Sequence, residues 1–536
     1  MKDIWREYCE ISTIHGLRHV VQKDAKRWER VIWISLLTVA SFTIFILLIY
    51  WWNIYINSPV QVVVDDPRYP LSKIDFPALT ICPINKILYS KTKALSLSRY
   101  PNNSALRQKF LNSLTALSIM RFPFYSEPLN FIKNHSYITI PTDQIINIMK
   151  LLMPSISDVF FKCYWRGANI NCTDLFRLQR TEEGFCYSFN SKTAERNEND
   201  SDKNPPFQMP NGSLMPLRNN VGGKMTGLEV ILNDIENDSM PLDTRAKGFN
   251  VIVHTPEDFP DVSDNYKLYR NADRLTLLAV SVSRIIADES LYRVSESRRN
   301  CFMWNDNMIS NNKITSHSNN KNNCKSTCRL QTIRNLCNCI PYFYNDNKKD
   351  DIDVCGVEHI KCLVRVDAIQ RNTLAPTNET GFPKWSQPPH MNCTCPQPCS
   401  FLIYSTEVRS QLREYLDISQ FNDDIGPTPV YLDFHFRDQF AISYIRSMKY
   451  STQDLLVSVG GIASLFLGCS LVSLIEILYY LYKSIVYLRS KNIYKRQKKE
   501  KLVILTRRYH PYEFKRPLYK PPRHINSKTS MNQFNY

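Results

Sequence analysis

The stretch Leu455-Leu-Val457-Ser-Val-Gly460-Gly461-Ile-Ala-Ser464-Leu-Phe-Leu-Gly468-Cys469-Ser470-Leu-Val-Ser473-Leu-Ile-Glu476 decides how the rest of the chain is read. Leu455–Ile475 is 21 residues without a charge. At about 1.5 Å per residue, a helix of that length spans a hydrocarbon core of roughly 30 Å. It is not built as a plain anchor, which would be Leu, Ile and Val throughout. Gly460, Ser464 and Gly468 recur every fourth residue, a spacing that lets helices approach closely in lipid. That spacing alone favours a simple helix-dimer face. Three further features move the balance. Ser458, Ser464, Ser470 and Ser473 carry hydroxyls through the span. Gly460, Gly461 and Gly468 expose backbone and permit a break in the helix. Glu476 places a carboxylate where Ile477-Leu-Tyr-Tyr-Leu481 continues the apolar run. Ionisable groups at membrane depth face a partner or a water-filled path. Irregular backbone is tolerated there only when buried in protein or lining water. Together these residues predict a narrow, small-walled constriction with a ring of Glu476 carboxylates on its cytoplasmic side. A ring needs several copies of the chain, and a negative ring attracts cations.

A second apolar run, Val31–Ile56, is 26 residues long. It is too long for the apolar region of a signal peptide and ends in Trp51-Trp52 rather than a small-x-small cleavage site. Those tryptophans, with Tyr50 and Tyr55, suit an interfacial aromatic belt. Lys2, Arg6, Arg18, Lys23, Lys26, Arg27 and Arg30 precede this run. From Lys483 to Tyr536 there are 15 Lys and Arg against Glu500 and Glu513, a net +13 of the chain's +17. By the positive-inside rule both termini are cytoplasmic. We therefore expect a multi-pass plasma-membrane protein: cytoplasmic residues 1–30, a first span 31–56, an extracellular domain 57–452, a second span 453–482, and a basic, disordered tail 483–536. The basic balance is local to the tail, so it is no nucleic-acid footprint. It reads as a topogenic, solvated tail or as a contact for anionic lipid. This layout fits channels and membrane-anchored receptors and argues against an enzyme. No His-Glu-x-x-His or Gly-x-Ser-x-Gly motif is present to suggest an ectoenzyme.

The residues between the spans belong to a secretory compartment. Asn102, Asn134, Asn171, Asn199, Asn211, Asn237, Asn378 and Asn392 each open an Asn-x-Ser/Thr glycosylation sequon, and all lie in the loop. Of 16 cysteines, Cys9 and Cys469 lie outside the loop. The remainder are Cys82, Cys163, Cys172, Cys186, Cys301, Cys324, Cys328, Cys337, Cys339, Cys355, Cys362, Cys393, Cys395 and Cys399. An even number in an oxidising compartment reads as disulfides, and the Cys-x-Cys pairs are too close for the usual zinc spacing, so no metal site is expected. Strands are predicted at Val60–Val64, Leu228–Leu232, Phe249–His254, Leu275–Ile286 and Tyr431–Phe436, the last by its alternation. Helices are predicted at Ala105–Leu117, at Thr142–Met153, and through Cys324 and Cys328 on to Leu336. Residues 187–226 and 363–392 read as exposed loop.

Four motifs, in this order and topology, resemble the degenerin/epithelial sodium channel superfamily, most closely its pickpocket branch. Ser12-Thr13-Ile14-His15-Gly16 precedes the first span where that family keeps a His-Gly gating motif. Phe76-Pro-Ala-Leu-Thr-Ile-Cys82 is similar to the family's signature after the first span. Gly468-Cys469-Ser470 resembles its Gly/Ser-x-Ser selectivity filter and is followed by the intramembrane Glu476. The loop cysteines agree in number and order with those of acid-sensing channels. The resemblance implies an α+β membrane protein that forms a homotrimer or a heterotrimer with sister subunits. Each subunit would carry a β-rich palm, a disulfide-stapled helical thumb and peripheral lobes above two spanning helices. It implies the pairs Cys82–Cys186, Cys163–Cys172, Cys301–Cys399, Cys324–Cys395, Cys328–Cys393, Cys337–Cys362 and Cys339–Cys355. It further implies an amiloride-sensitive, voltage-independent channel gated by an extracellular chemical or mechanical stimulus. Such a channel passes Na⁺ as permeant ion and needs no cofactor.

Some positions depart from the family pattern. Val457 stands where relatives carry a small residue at the outer gate, which implies a gate that is propped open. Glu296-Ser-Arg-Arg-Asn-Cys301 replaces the Pro-Trp of acid-sensing members, and Arg516-Pro-Leu-Tyr519 is no Pro-Pro-x-Tyr docking motif. A receptor that the spans only anchor would lack the glycines, the triplet and Glu476. An ATP-gated two-span trimer would lack Phe76–Cys82 and Gly-x-Ser.

Overall fold

The computed structural model describes residues 2–22, 24–195, 216–233, 235–243, 247–262, 265–268, 274–303, 321–344, 353–372, 389–391, 393, 395–412 and 430–508. The chain divides into two compact units, Asn57–Lys449 and a unit formed by Met1–Ile56 with Tyr450–Tyr536.

The larger unit is mixed α/β. Its strands are β1 (Val60–Pro70), β2 (Ala78–Pro83), β3 (Phe160–Trp165), β4 (Ala168–Ile170), β5 (Phe176–Thr181), β6 (Gly184–Phe189), β7 (Leu228–Leu232), β8 (Phe249–His254), β9 (Asn265–Leu268), β10 (Arg274–Ala287), β11 (Phe401–Leu412), β12 (Val430–Phe436) and β13 (Phe440–Met448). The first sheet has the order β1-β13-β10-β12-β7-β3-β4, with β11 also on β10. The long strand β10 organises it. Along one edge it pairs antiparallel with β11 from Arg274 to Ile285. Along the other it pairs parallel, first with β12 and then with β13. The second sheet runs β5-β6-β2-β8-β9. Its centre is β2, where every residue from Ala78 to Pro83 is buried.

Phe76 ties the two sheets together. It is fully buried and meets Trp165 of β3, Phe434 and Phe436 of β12, and Phe189 of β6 at ring-centroid distances of 5.0, 5.2, 4.9 and 6.2 Å, all edge-on. Such T-shaped contacts add to the area term of burying an aromatic ring. The start of the Phe76–Cys82 motif is thus a core hub, and its end is stapled, because Cys82 of β2 bonds Cys186 of β6.

Helices Ser104–Ser118 and Thr142–Leu152 stand where periodicity predicts them. Asn103 caps the first, its Oδ1 accepting the Leu106 N–H at 2.9 Å, and Phe110, Leu114 and Leu117 fill the core side. Helix Lys321–Cys337 carries Cys324, Cys328 and Cys337. Seven disulfides are formed: Cys82–Cys186, Cys163–Cys172, Cys301–Cys399, Cys324–Cys395, Cys328–Cys393, Cys337–Cys362 and Cys339–Cys355. These are the pairs that the resemblance implies, and the last five nest one within the next.

Two expectations in this unit need correction. The expected loop 187–226 starts inside β6, whose Tyr187, Ser188 and Phe189 are buried, whereas the alternation of Tyr431–Phe436 does mark a strand, β12. All of β12 is buried, and Asp433 and His435 on its polar face pair with each other at 3.0 Å. Part of the expected loop 363–392 is helix Ile360–Gln370, whose Ile360, Leu363 and Val366 are buried. Residues 373–388 lie outside the described residues.

The smaller unit holds two helices long and apolar enough to cross a membrane, Arg27–Asn57 and the segment Leu471–Lys498. No side chain of Arg27–Asn57 is buried within the chain, and Val39, Phe42, Phe45 and Ile49 stand exposed. In water such a surface would be strongly unfavourable; lipid or further protein must cover it. The apolar run Leu455–Ile475 is not one helix. Helix Thr452–Leu467 runs unbroken through Gly460 and Gly461, stops at Gly468, and a new helix begins at Leu471. That new helix continues through the basic segment to Arg508. The tail expected to be disordered is therefore helical to that point, and residues 509–536 lie outside the described residues.

Candidate functional site

Gly468-Cys469-Ser470 ends one helix and opens the next. Gly468 has φ 66°, a left-handed conformation that glycine takes without a Cβ penalty. Its N–H donates to Ser464 O at 2.9 Å, and the Cys469 N–H donates to Ala463 O at 3.4 Å. Ser470 then caps the following helix. Its Oγ accepts the Ser473 N–H at 3.3 Å, while Ser473 Oγ accepts the Ser470 N–H at 3.1 Å, a reciprocal cap across one turn. The Ser470 carbonyl accepts the Leu474 N–H at 3.2 Å. The carbonyls of Gly468 and Cys469 receive no hydrogen bond among the described residues. Two adjacent backbone acceptors are thus left over at the break.

Residues Ser12–Gly16 lie across that break. The His15 N–H donates to Leu467 O at 3.0 Å, satisfying a helix-end carbonyl. The His15 imidazole lies against Gly468: a Cβ there would stand 2.5 Å from Cε1 and 2.6 Å from Nδ1. Thr13 Oγ1 is 2.6 Å from Ser473 Oγ. Gly16 turns the chain at φ 82°, and a Cβ on it would meet Trp33 Cε3 at 3.2 Å. His19 stacks on the same Trp33 at 4.6 Å. Upstream, helix Lys2–Ile11 lies on helix Leu471–Arg508. Tyr8 meets Tyr480 at 5.2 Å between centroids, and Lys483 Nζ donates to both Glu7 carboxylate oxygens at 2.8 Å.

Comparison with known proteins places the chain in a family. The family described as "Amiloride-sensitive sodium channel" matches residues 8–480. The chain belongs to the amiloride-sensitive sodium channel family. Sodium channel protein Nach of Drosophila ananassae is 24% identical over 495 residues, which is 90% of this chain and 86% of that protein. Pickpocket protein 19 of Drosophila melanogaster is 24% identical over 481 residues, covering 88% of this chain and 89% of that protein. Acid-sensing ion channel 4 of Rattus norvegicus is 21% identical over 516 residues, covering 92% and 81%. The family comprises ion channels rather than enzymes, so this chain is a cation-channel homologue of the degenerin/epithelial sodium channel kind, and its two long apolar helices fit a membrane protein.

The remaining candidate residues fall as follows. Val457 lies on helix Thr452–Leu467 with 73% of its surface exposed. Gly460 and Gly461 have nothing within 4 Å of an added Cβ. Glu476 lies one turn beyond Ser473 on the next helix, partly exposed. Asn102, Asn134, Asn171 and Asn237 are exposed. Asn199, Asn211, Asn378 and Asn392 lie outside the described residues. Cys9 and Cys469 are free thiols. No group of metal-ligating side chains occurs among the described residues.

Two constellations escaped sequence analysis. Thr13 and Ser473 are separated by 460 residues, and no local pattern joins them. In the larger unit, Arg329 donates from Nη1 to both Glu182 oxygens at 2.8 and 2.7 Å, and Tyr344 donates to Glu182 Oε1 at 2.7 Å. Burial pushes Glu182 above the usual carboxylate range, while Arg329 and the Tyr344 hydroxyl pull it back down. The only sequence signal was a pair of acids in Thr181-Glu-Glu-Gly184, beside a turn.

Proposed function

We propose that this chain is the subunit of a trimeric, sodium-selective, amiloride-sensitive channel, in which three copies of Gly468-Cys469-Ser470 surround the ion path as the filter. One observation carries this: at the helix break the Gly468 and Cys469 carbonyls receive no hydrogen bond among the described residues, under a segment fastened to both sides of the break. Carbonyls so placed can replace part of a cation's water shell, and a narrow ring favours Na⁺ over K⁺. The exposed Gly460 and Gly461 supply small surfaces for close approach of neighbouring copies. Glu476 adds a carboxylate ring just inside the filter, Val457 stands at the outer gate, and His15 with Gly16 supports the filter from the cytoplasmic side. Residues 57–452 are extracellular and glycosylated at the sequons, and both termini are cytoplasmic. Ser451–Asp454 supports this polarity: Ser451 and Asp454 form a capping box, a water-exposed start for the helix that enters the membrane. The basic helical extension beyond Lys483 faces anionic lipid head groups. Channel opening answers an extracellular chemical or mechanical stimulus and not voltage.

The test is whole-cell current on exchanging external Na⁺ for K⁺, with and without amiloride, from this subunit expressed alone and with sister subunits. We expect an amiloride-sensitive current carried by Na⁺, and a changed selectivity or no current when Ser470 is replaced by a bulkier residue. A conducting Ser470→Leu channel with unchanged selectivity would remove the triplet from the ion path.

A further inference from the structure

We propose that helix Lys2–Ile11 is a membrane-surface helix that lays Trp5 and Ile11 into the head-group layer of the bilayer, beside the end of the second spanning segment. This needs only that the long apolar helices cross a bilayer, not that the triplet is a filter. The sequence Ile4-Trp-Arg-Glu-Tyr-Cys-Glu-Ile11 is two-faced. At about 100° per residue, Ile4, Trp5 and Ile11 all fall within roughly 60° of Tyr8, whereas Arg6, Glu7 and Glu10 fall about 100° or more away. The centre of the apolar arc is occupied: Tyr8 is 6% exposed and meets Tyr480 at 5.2 Å. Its flanks are open. Trp5 lies edge-on to Tyr8 at 5.9 Å yet keeps 48% of its surface, and Ile11 on the opposite flank keeps 61%. A helix of ten residues is marginal in water and is held by burying its apolar face. The contact with Tyr480 buries the middle of that face and leaves its edges for a further apolar partner.

Lipid is that partner because of where Tyr480 stands. From Thr452, just after the Ser451 cap, to Tyr480 the chain covers roughly 42 Å at about 1.5 Å per residue, the thickness of a bilayer with its head groups. Tyr480 and Lys483 therefore stand at the far head-group level. The residues gathered there suit that level. Trp5, Tyr8, Tyr480 and Tyr479 form one chain of ring contacts, and Tyr479 and Tyr482 are 58% and 68% exposed. Such aromatic girdles mark the boundary between hydrocarbon and water. Lys483 Nζ donates to both Glu7 carboxylate oxygens at 2.8 Å, and this charged pair closes the girdle on its wet side. Toward the hydrocarbon, Leu474 and Leu478 of the spanning helix are exposed, so the surface that faces acyl chains runs on to Trp5. An indole, apolar in body with one N–H donor, fits that layer. Laid there, the helix ties the end of the second span to one leaflet through the Tyr8–Tyr480 rings and the Glu7–Lys483 pair.

The experiment places the purified full chain in vesicles of neutral phosphatidylcholine. Subtracting the emission of Trp5→Phe from that of the wild type isolates the Trp5 signal from the other tryptophans. Quenching is measured with bromine carried high on the lipid acyl chains, and separately with iodide present on both faces of the vesicles. We expect bromine to quench the Trp5 signal several-fold more than iodide does, and to do so at high salt as well, because the contact is apolar and not an attraction to charged lipid. Glu10→Trp in the Trp5→Phe background moves the indole to the polar arc, and there the order should reverse. Stronger quenching of Trp5 by iodide would place it in water, and quenching by neither would place it against a second copy of the chain; either result overturns the proposal. Equal bromine quenching at positions 5 and 10 also overturns it, because the helix would then have no wet face. If Trp5→Phe does not fold, Ile11→Trp read against the wild type carries the same test. No current is recorded, so failure here leaves the filter reading untouched, and failure of the filter leaves this helix where it is.

Discussion

Replacing Gly468 by alanine tests the geometry of the break most directly. Two energies oppose the added methyl. Gly468 has φ 66°, where a residue with a Cβ is strained by about 1–2 kcal/mol. The new Cβ would also lie 2.5 Å from His15 Cε1, well inside van der Waals contact, so the ring must move by about an ångström. Moving it pulls on the His15 N–H to Leu467 O bond, worth about 0.5–1.5 kcal/mol net. The supported conformation should lose roughly 2–3 kcal/mol, which lowers its population by roughly 30- to 150-fold if it is marginally favoured. The assay is current per surface-labelled subunit for Gly468→Ala, His15→Ala and the double variant. His15→Ala removes the ring but keeps the backbone N–H, so only the φ strain remains when alanine is then placed at 468. We expect Gly468→Ala to be several-fold less damaging in the His15→Ala background. Equal damage in both backgrounds would show that the ring does not rest on Gly468. Wild-type current from Gly468→Ala would show that residue 468 is not left-handed.

Three further outcomes follow from named contacts. Arg329→Met strands the buried Glu182 carboxylate and should destabilise the larger unit by about 3–5 kcal/mol, seen as reduced surface delivery; adding Glu182→Gln should restore much of it, and no restoration would discount the pair. His254 is buried and hydrogen-bonded to Thr80, and burial lowers its pKa from 6.5 to about 4. Its neutral form is therefore the folded one: stability is full above pH 6.5 and falls by about 3 kcal/mol as pH drops to about 4. Thermal unfolding of purified wild type and His254→Gln between pH 7 and 4 checks this, and identical pH slopes would refute it. Val457→Ala should lower any standing current if the larger side chain props the outer gate; a larger standing current would reverse that assignment.

What could be read from the sequence, and what could not, divides by physical origin. Strand β8 begins and ends at the predicted Phe249 and His254, because β-branched and aromatic residues there sit between turn signals. The helical stretch through Cys324 and Cys328 follows from spacing, because both bond into the chain from one helix face. The break at Gly468 was one of three glycine positions at which sequence permitted a break. Gly460 and Gly461 stay helical because nothing crowds or caps them, whereas His15 and Ser470 supply the groups that end one helix and start another. Those groups come from opposite ends of the chain, where periodicity carries no information. The buried face of β12 was hidden for a similar reason. Asp433 and His435 sit in an alternating strand, and their mutual contact at 3.0 Å, together with the Met225 N–H given to Asp433 Oδ2 at 3.1 Å, makes burial tolerable.

The strengths of the interactions in the two units differ in a way that bears on gating. The larger unit is cross-linked seven times and packed around Phe76, so its local arrangement is held covalently and by a continuous core. The break at Gly468–Ser470 is held by His15 N–H to Leu467 O, the Thr13–Ser473 contact and the Ser470–Ser473 cap. At about 1 kcal/mol net each, these sum to a few kcal/mol. Driving a two-state equilibrium from one extreme to the other takes roughly 5.5 kcal/mol. The fastening at the break is therefore weaker than the free energy that would switch such an equilibrium completely. In the proposed filter, a covalent or fully packed break could not be switched by a stimulus, and an unfastened one could not hold its carbonyls. A few hydrogen bonds from a short N-terminal segment meet both requirements, which is why a change at His15, far from the triplet in sequence, should alter permeation.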